Sequence, residues 1–350
     1  MKLMQNSVCP STRATYAGAL RHYDGWCARW RLDASPLLIT PTRAINWLTE
    51  VGGERQLMHK SLLVFRSALS TAWAVAGGQG DNPVQDPSVA RLLLGYSKAR
   101  FTADRNIREK RKETIALTAE LLAEIAPMAP GSTAGTPHEI MLWAAACFLT
   151  FGLNRCGEVF RCTRNGRPPL DVSAVEFFDS AHASIPRPLC SGSWRNSPLP
   201  DLYSVDLGQT KADGEARNEN QRIAAKVAVH AVWRWAHIRR DLGGGAAGPL
   251  FAVPGEFPLT RKSLFAAIAS WHAATSGGAP PKVTGKAFRR GGNQSLVASG
   301  ASIPEMQSAG RWRGAGMPTV YSSADANASR ALLVSRGLGD LFVAAAGRQL

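Results

Sequence analysis

The chain has 350 residues, 45% of them hydrophobic, and no long low-complexity block, which excludes global disorder and allows two domains with a sizeable core in at least one. Lys and Arg number 41 against 26 Asp and Glu, a formal net charge of +15, so a polyanionic partner is expected, nucleic acid first. Up to residue 112 there are 17 Lys/Arg against 8 Asp/Glu, and after it 24 against 18, so the smaller part carries the larger excess.

The first predicted element is "STRATYAGALRHYDGWCARWRL", a helix capped by Ser11 or Thr12, with Tyr16, Leu20, Tyr23, Cys27 and Trp30 recurring at three- and four-residue steps. "TPTRAINWLTEVG" starts a second helix with Pro41 in its first turn, and "HKSLLVFRSALSTAWAVAGG" is a third that stops at Gly77-Gly78. "DPSVARLLLGYSKARF" is a fourth. Four short helices with basic residues between apolar ones fit a compact DNA-binding module, and fit a protein–protein module nearly as well. The charged stretch "TADRNIREKRKET" then reads as a linker in which Arg105, Arg108, Lys110, Arg111 and Lys112 suit a phosphate track, or simply as a solvated hinge.

Beyond the linker, "TAELLAEIAPMA" and "PHEIMLWAAACFLTFGLNRCGEVFRCTR" read as helices. The longest apolar run, Ile140 to Leu153, is short for a bilayer and reads as a buried helix, so no membrane partner is expected. From about Leu170 to Lys211 prolines accumulate, and "VSAVEFF" and "LYSVDLG" predict short strands. The helical stretches "NQRIAAKVAVHAVWRWAHIRRDLG", "TRKSLFAAIASWHAATSG", "GKAFRRGGNQSLVASG" and "SIPEMQSAGRW" follow, then a tail "ASRALLVSRGLGDLFVAAAG". The six cysteines (Cys9, Cys27, Cys147, Cys156, Cys162, Cys190) include no C-x-x-C pair, and the seven histidines show no metal pattern. No cofactor is expected. With no cationic-then-apolar leader at the start, the expectation is an intracellular protein, nuclear in a eukaryote and in the cytoplasm or nucleoid of a bacterium.

Four segments of the larger part line up in order. "FGLNRCGEVF" places Arg155 and Glu158 three apart on one helix face near a helix start, a spacing that an ordinary ion pair also satisfies. "DLGQTKADGEARNENQRI" puts Lys211 by an Asp-Gly turn between strand-like runs, with Arg217, Arg222 and Lys226 as competing cations. "GKAFRRGG" contains Lys286, Arg289 and Arg290, and "AGRWRGAGMPTVY" contains Trp312 flanked by two cations, Arg311 and Arg313, with Tyr321 behind them. In this order the segments resemble the tyrosine recombinases, the phage-integrase superfamily, and the last third is similar to the Cre branch. The family signature runs Arg, Glu or Asp, a hairpin Lys, His-x-x-Arg, His or Trp, then Tyr. Arg155, Glu158, Lys211, Arg289, Trp312 and Tyr321 match it, with 23 positions from Arg289 to Trp312 and nine more to Tyr321. Lys286 stands where the family usually has His.

The resemblance implies a mainly α fold with a small β-sheet: a helical N-terminal core-binding (SAM-like) domain over 1–103, a basic linker over 104–113 and a tyrosine recombinase catalytic domain over 114–350. It implies cleavage and rejoining of double-stranded DNA through a covalent 3′-phosphotyrosyl intermediate, in site-specific recombination or integration of a mobile element, by a homotetramer with a dimer on each site. A DNA-binding descendant that has lost catalysis and a topoisomerase-like nicking and closing enzyme are the alternatives. The chemistry suits the residue types. Guanidiniums hold non-bridging phosphate oxygens with forked donors, an indole N–H completes the phosphate site, and a hairpin Lys protonates the leaving 5′ oxygen. The tyrosine conserves the bond energy as a phosphodiester.

Overall fold

A computed structural model describes residues 10–55, 57–108, 114–160, 168–185, 199–207 and 220–312. The chain divides into two compact units, 1–111 and 112–350. The first contains α1 (Pro10–Arg29), α2 (Pro41–Glu54), α3 (His59–Val75) and α4 (Pro87–Arg108). In α2 the hydroxyl of Thr40 accepts the Arg43 N–H at 3.2 Å and Pro41 opens the first turn, so the start is fixed by its cap. Ala44, Trp47, Leu48 and Val51 then fall on one face and are buried. Trp47 is the centre of this core, edge-on to Tyr23 with ring centroids 5.1 Å apart and against Phe65 at 5.5 Å. Helix α4 continues past the apolar pattern to Arg108, so the opening residues of the stretch read as a linker are helical.

The second unit is built on α6 (Pro137–Phe151), which follows the short α5 (Ala119–Ile125). A capping box between Thr136 and Glu139 starts α6, and every residue from Ile140 to Phe151 is buried, as its apolar run predicts. After the one-turn helix α7 (Cys156–Val159) come β1 (Val175–Phe178), β2 (Ser184–Ile185), β3 (Leu202–Asp206) and β4 (Asn220–Ile223). They form an antiparallel sheet in the order β2-β1-β3-β4. Val175 pairs with Val205 across β1 and β3, and Tyr203 with Ile223 across β3 and β4. Residues 220–223, read from sequence as the start of a helix, are therefore a strand. Gln221 and Ile223 point inward and Arg222 outward, a two-residue period too short to stand out.

Helices α8 (Lys226–Asp241), α9 (Arg261–Ser276), α10 (Gly285–Ala298) and α11 (Ile303–Gly310) complete the described part of this unit. Ring contacts tie sheet and helices into one core: Phe148 stacks on Tyr203 at 5.6 Å and Phe177 meets Trp233 at 4.7 Å. The fold class is mainly α with one small sheet, as the sequence predicts. No helix among the described residues is long and apolar enough to cross a membrane.

Candidate phosphate-binding site

Arg155 sits at the junction between α6 and α7. It is not on the helix face with Glu158, as its spacing predicts, but is the N-cap of α7, in extended conformation (φ −79°, ψ 135°). Glu158, at the third helical position, reaches back: its Oε2 accepts the Arg155 backbone N–H at 2.8 Å and its Oε1 accepts Arg155 Nη1 at 2.7 Å. The Glu158 side chain is 3% exposed while that of Arg155 keeps 34%, so the acid is sequestered and the guanidinium still reaches solvent. Burial opposes ionisation of Glu158, but the charges of Arg311 and Arg155 and the Arg155 N–H outweigh it, holding the carboxyl below its ordinary range.

Helix α10 brings the second arginine. Two of its glycines lie where a Cβ would stand 1.9 Å from the Leu117 carbonyl oxygen and 2.2 Å from that of Thr150 (Gly291 and Gly292 respectively), so the helix packs directly on backbone, including the last turn of α6. At the other end, a Cβ on Gly285 would lie 3.4 Å from the sulfur of Cys156, which places the first turn of α10 beside the first turn of α7. Burial pushes the Cys156 thiol up to about 12, which makes it packing rather than a nucleophile. Lys286, in that first turn of α10, is exposed. Thr284, the N-cap, gives α10 no side-chain cap hydrogen bond. Arg289, one turn on, is 3% exposed. Its Nη2 donates to the Gly310 carbonyl, and its guanidinium carbon lies 4.9 Å from the centre of the Trp312 ring. Its neighbour Arg290 turns away, donating to the Thr114 carbonyl at 3.0 Å.

The turn after α11 holds these parts together. Trp312 is buried, and its backbone N–H donates to the Gln307 carbonyl at 2.9 Å. Arg311, between Gly310 and Trp312, is left-handed (φ 52°, ψ 50°) and sends its guanidinium inward to Glu158. Gln221 of β4 ties the same region to the end of α6, donating to the Gly152 carbonyl at 2.5 Å and to the Ala309 carbonyl at 3.0 Å. The sequence marks Arg311 only as a cation beside Trp312 and does not mark Gln221 at all. Their roles depend on contacts 153 and 69 positions away, which no local spacing signals.

Of the residues expected to act together, the structure gathers Arg155 with Glu158, and Arg289 with Trp312, with Lys286 one turn from Arg289. Lys211, Tyr321 and the tail lie outside the described residues, as do Lys110, Arg111 and Lys112. Lys211 falls in the sequence between β3 and β4, which pair with each other. Arg105 and Arg108 belong to the last turns of α4. Among the described residues no group of three or more His, Cys, Asp and Glu could hold a metal ion.

No family model and no curated protein matches the chain. Solved structures do. One is the XerH site-specific recombinase bound to palindromic difH substrate in a post-cleavage complex, at 12% identity and a TM-score of 0.55 over 93% of this chain and 79% of that one. Another is the Tn1549 transposon integrase in complex with circular intermediate DNA, at 14% identity and a TM-score of 0.52 over 93% of this chain and 99% of that one. At such identities the likeness is one of fold.

Proposed function

From the tyrosine recombinase fold of this chain, we propose that it cleaves and rejoins duplex DNA through a covalent 3′-phosphotyrosyl intermediate, in site-specific recombination or integration. One observation carries the reading. Two arginines 134 positions apart, Arg155 and Arg289, are both anchored on the single turn Gly310–Trp312, Arg155 through Glu158 and Arg289 directly. A phosphodiester attacked in line gathers charge on its non-bridging oxygens, and paired, fixed guanidiniums answer that charge. The first turn of α10 adds the exposed ammonium of Lys286 and an N-terminus without a side-chain cap, both favourable to an anion.

In this mechanism the Tyr321 hydroxyl releases its proton to solvent as its oxygen attacks phosphorus, the bond to the 5′ oxygen breaks, and Lys211 supplies the proton that the leaving 5′ hydroxyl needs. Rejoining runs the steps in reverse, without ATP or metal. The tyrosines support this choice of nucleophile. The second unit has two, and Tyr203 is wholly buried in the sheet, where burial raises its hydroxyl well above its ordinary range. Tyr16, Tyr23 and Tyr96 belong to the first unit. The Tyr96 hydroxyl is engaged with the Gly52 and Leu57 carbonyls.

The test is covalent capture on a nicked duplex. Wild type is expected to form a denaturant-resistant protein–DNA adduct at the 3′ side of the break, and Tyr321→Phe to form none while binding the duplex nearly as well. An adduct in the phenylalanine variant would move the nucleophile elsewhere. Lys286 in the usual histidine position favours a second reading, a DNA-binding protein without cleavage. That reading takes over if wild type binds duplex DNA and forms no adduct on any nicked target.

A further inference from the structure

We propose that Arg311 is a positioning residue that couples the turn bearing Trp312 to the Arg155 guanidinium by way of Glu158. The inference rests on the reading of Arg155 and Arg289 as phosphate ligands and adds a residue outside the signature that led to them. Three consecutive residues divide the work. The Gly310 carbonyl accepts Arg289 Nη2, the Arg311 guanidinium holds Glu158, and the Trp312 ring lies under Arg289.

Arg311 occupies a backbone conformation that a glycine would adopt at no steric cost (φ 52°, ψ 50°). Its own N–H closes α11 by donating to the Ser308 carbonyl at 3.0 Å, a bond that any residue but proline could make. The side chain is therefore what distinguishes arginine here. It is 7% exposed, and its Nη2 donates to Glu158 Oε2 at 2.9 Å and to Asn154 Oδ1 at 3.1 Å. Its Nε and Nη1 meet no acceptor among the described residues, so the buried cation is balanced chiefly by Glu158. Glu158 in turn holds Arg155 by both its backbone N–H and Nη1. Removing Arg311 leaves the buried carboxylate with one cation, frees it to take up a proton, and loosens the cap that aims Arg155.

The groups acting on Glu158 are Arg311 and Arg155, and the Cys156 thiol lies within reach of its charge. The decisive variants are Arg311→Gly, which suits the backbone and deletes the guanidinium, and Arg311→Lys, which keeps a charge without the fork. On a nicked duplex, Arg311→Gly is expected to lose about 10- to 100-fold in single-turnover cleavage at saturating DNA, with affinity unchanged within about twofold. The acid limb of its pH profile should move upward, and Arg311→Lys should recover part of both. Wild-type rate and an unmoved acid limb in Arg311→Gly overturn the proposal.

A second measurement needs no cleavage. The loss of stability of the full chain on acidification should be shallower in Arg311→Gly than in wild type, because Glu158 is then held less far below its ordinary range in the folded state, and this shift should vanish in a Glu158→Gln background. An equal shift in both backgrounds means that Arg311 does not act through Glu158, and the proposal fails. Absence of any adduct in wild type counts against the recombinase reading and leaves this cycle to decide the coupling.

Discussion

At Glu158 two guanidiniums and a backbone N–H converge on one buried carboxylate. Deleting the carboxylate of such a cluster costs about 3–5 kcal/mol, because the Arg311 guanidinium stays buried and unbalanced. Glu158→Leu is accordingly expected to lower unfolding free energy in urea by that order, and Glu158→Gln, which keeps the shape, by less. The pH dependence has a definite sign. A carboxyl held below its ordinary range contributes stability that is complete above the unfolded value near 4.3 and is lost as pH falls through the folded value. Wild type should therefore lose this increment on acidification, and Glu158→Gln should show a flatter acid limb. Lys286 invites a kinetic test at the same scale. Protonated lysine only donates, whereas histidine both accepts and donates near neutrality. Lys286→Ala should nearly abolish adduct formation, and Lys286→His should move the optimum of cleavage downward in pH; an alanine variant as fast as wild type would make Lys286 a bystander. The pair Arg155–Glu158 was legible as a spacing, but the spacing alone could not separate two residues on one helix face from an N-cap and its reciprocal partner. Arg311 was legible only as a cation beside Trp312, since its inward side chain is held by Asn154 and Glu158, 157 and 153 positions away.

Helix α10 shows what an element contributes that a residue list does not. Its Gly291 and Gly292 let it lie on the Leu117 and Thr150 carbonyls, and Ser295 adds a bond to the Ala119 N–H at 2.8 Å. A methyl group at either glycine must push the helix off backbone that cannot yield. Gly292→Ala is expected to destabilise by about 3 kcal/mol and to depress cleavage as well, because Arg289 rides on the same helix. The control is Gly25→Ala on α1, exposed and with nothing within 4 Å of the added methyl. It should stabilise by about 0.5–1 kcal/mol through helix propensity alone. Thermal unfolding of the two variants separates these cases; similar behaviour would mean that the close approach of α10 has no energetic consequence. Elements with strong caps, such as α2 and α6, could be read from their sequences nearly to the residue at their starts, but the helical reading that opens at Pro137 passes over the break after Phe151. Strand β4 could not, because its four residues gain their conformation from pairing with β3 rather than from their own pattern.

At the scale of the whole chain, two separate hydrophobic cores account for the two units, one centred on Trp47 and the other running from Leu117 to Trp312. The basic excess is densest in the first unit and across the end of α4 and the residues that follow it, where Arg105, Arg108, Lys110, Arg111 and Lys112 fall within eight positions. On the proposed reading both units contact duplex DNA and this stretch follows phosphates between them. Each phosphate neutralised releases counterions, so affinity should fall linearly on logarithmic axes as salt rises. With six to ten such contacts the loss between about 50 and 200 mM salt is about 10³- to 10⁵-fold. Replacing Lys110, Arg111 and Lys112 together by Gln should reduce that slope by about three and weaken binding to all duplexes alike, since phosphate contacts carry no sequence information. Trypsin offers an independent view of the same residues: the first cuts are expected between Arg108 and Thr114 and should be suppressed by duplex DNA. If the triple variant keeps the wild-type slope and DNA leaves the cuts unchanged, the basic stretch is a connector only, and the DNA contacts must be sought on the two units themselves.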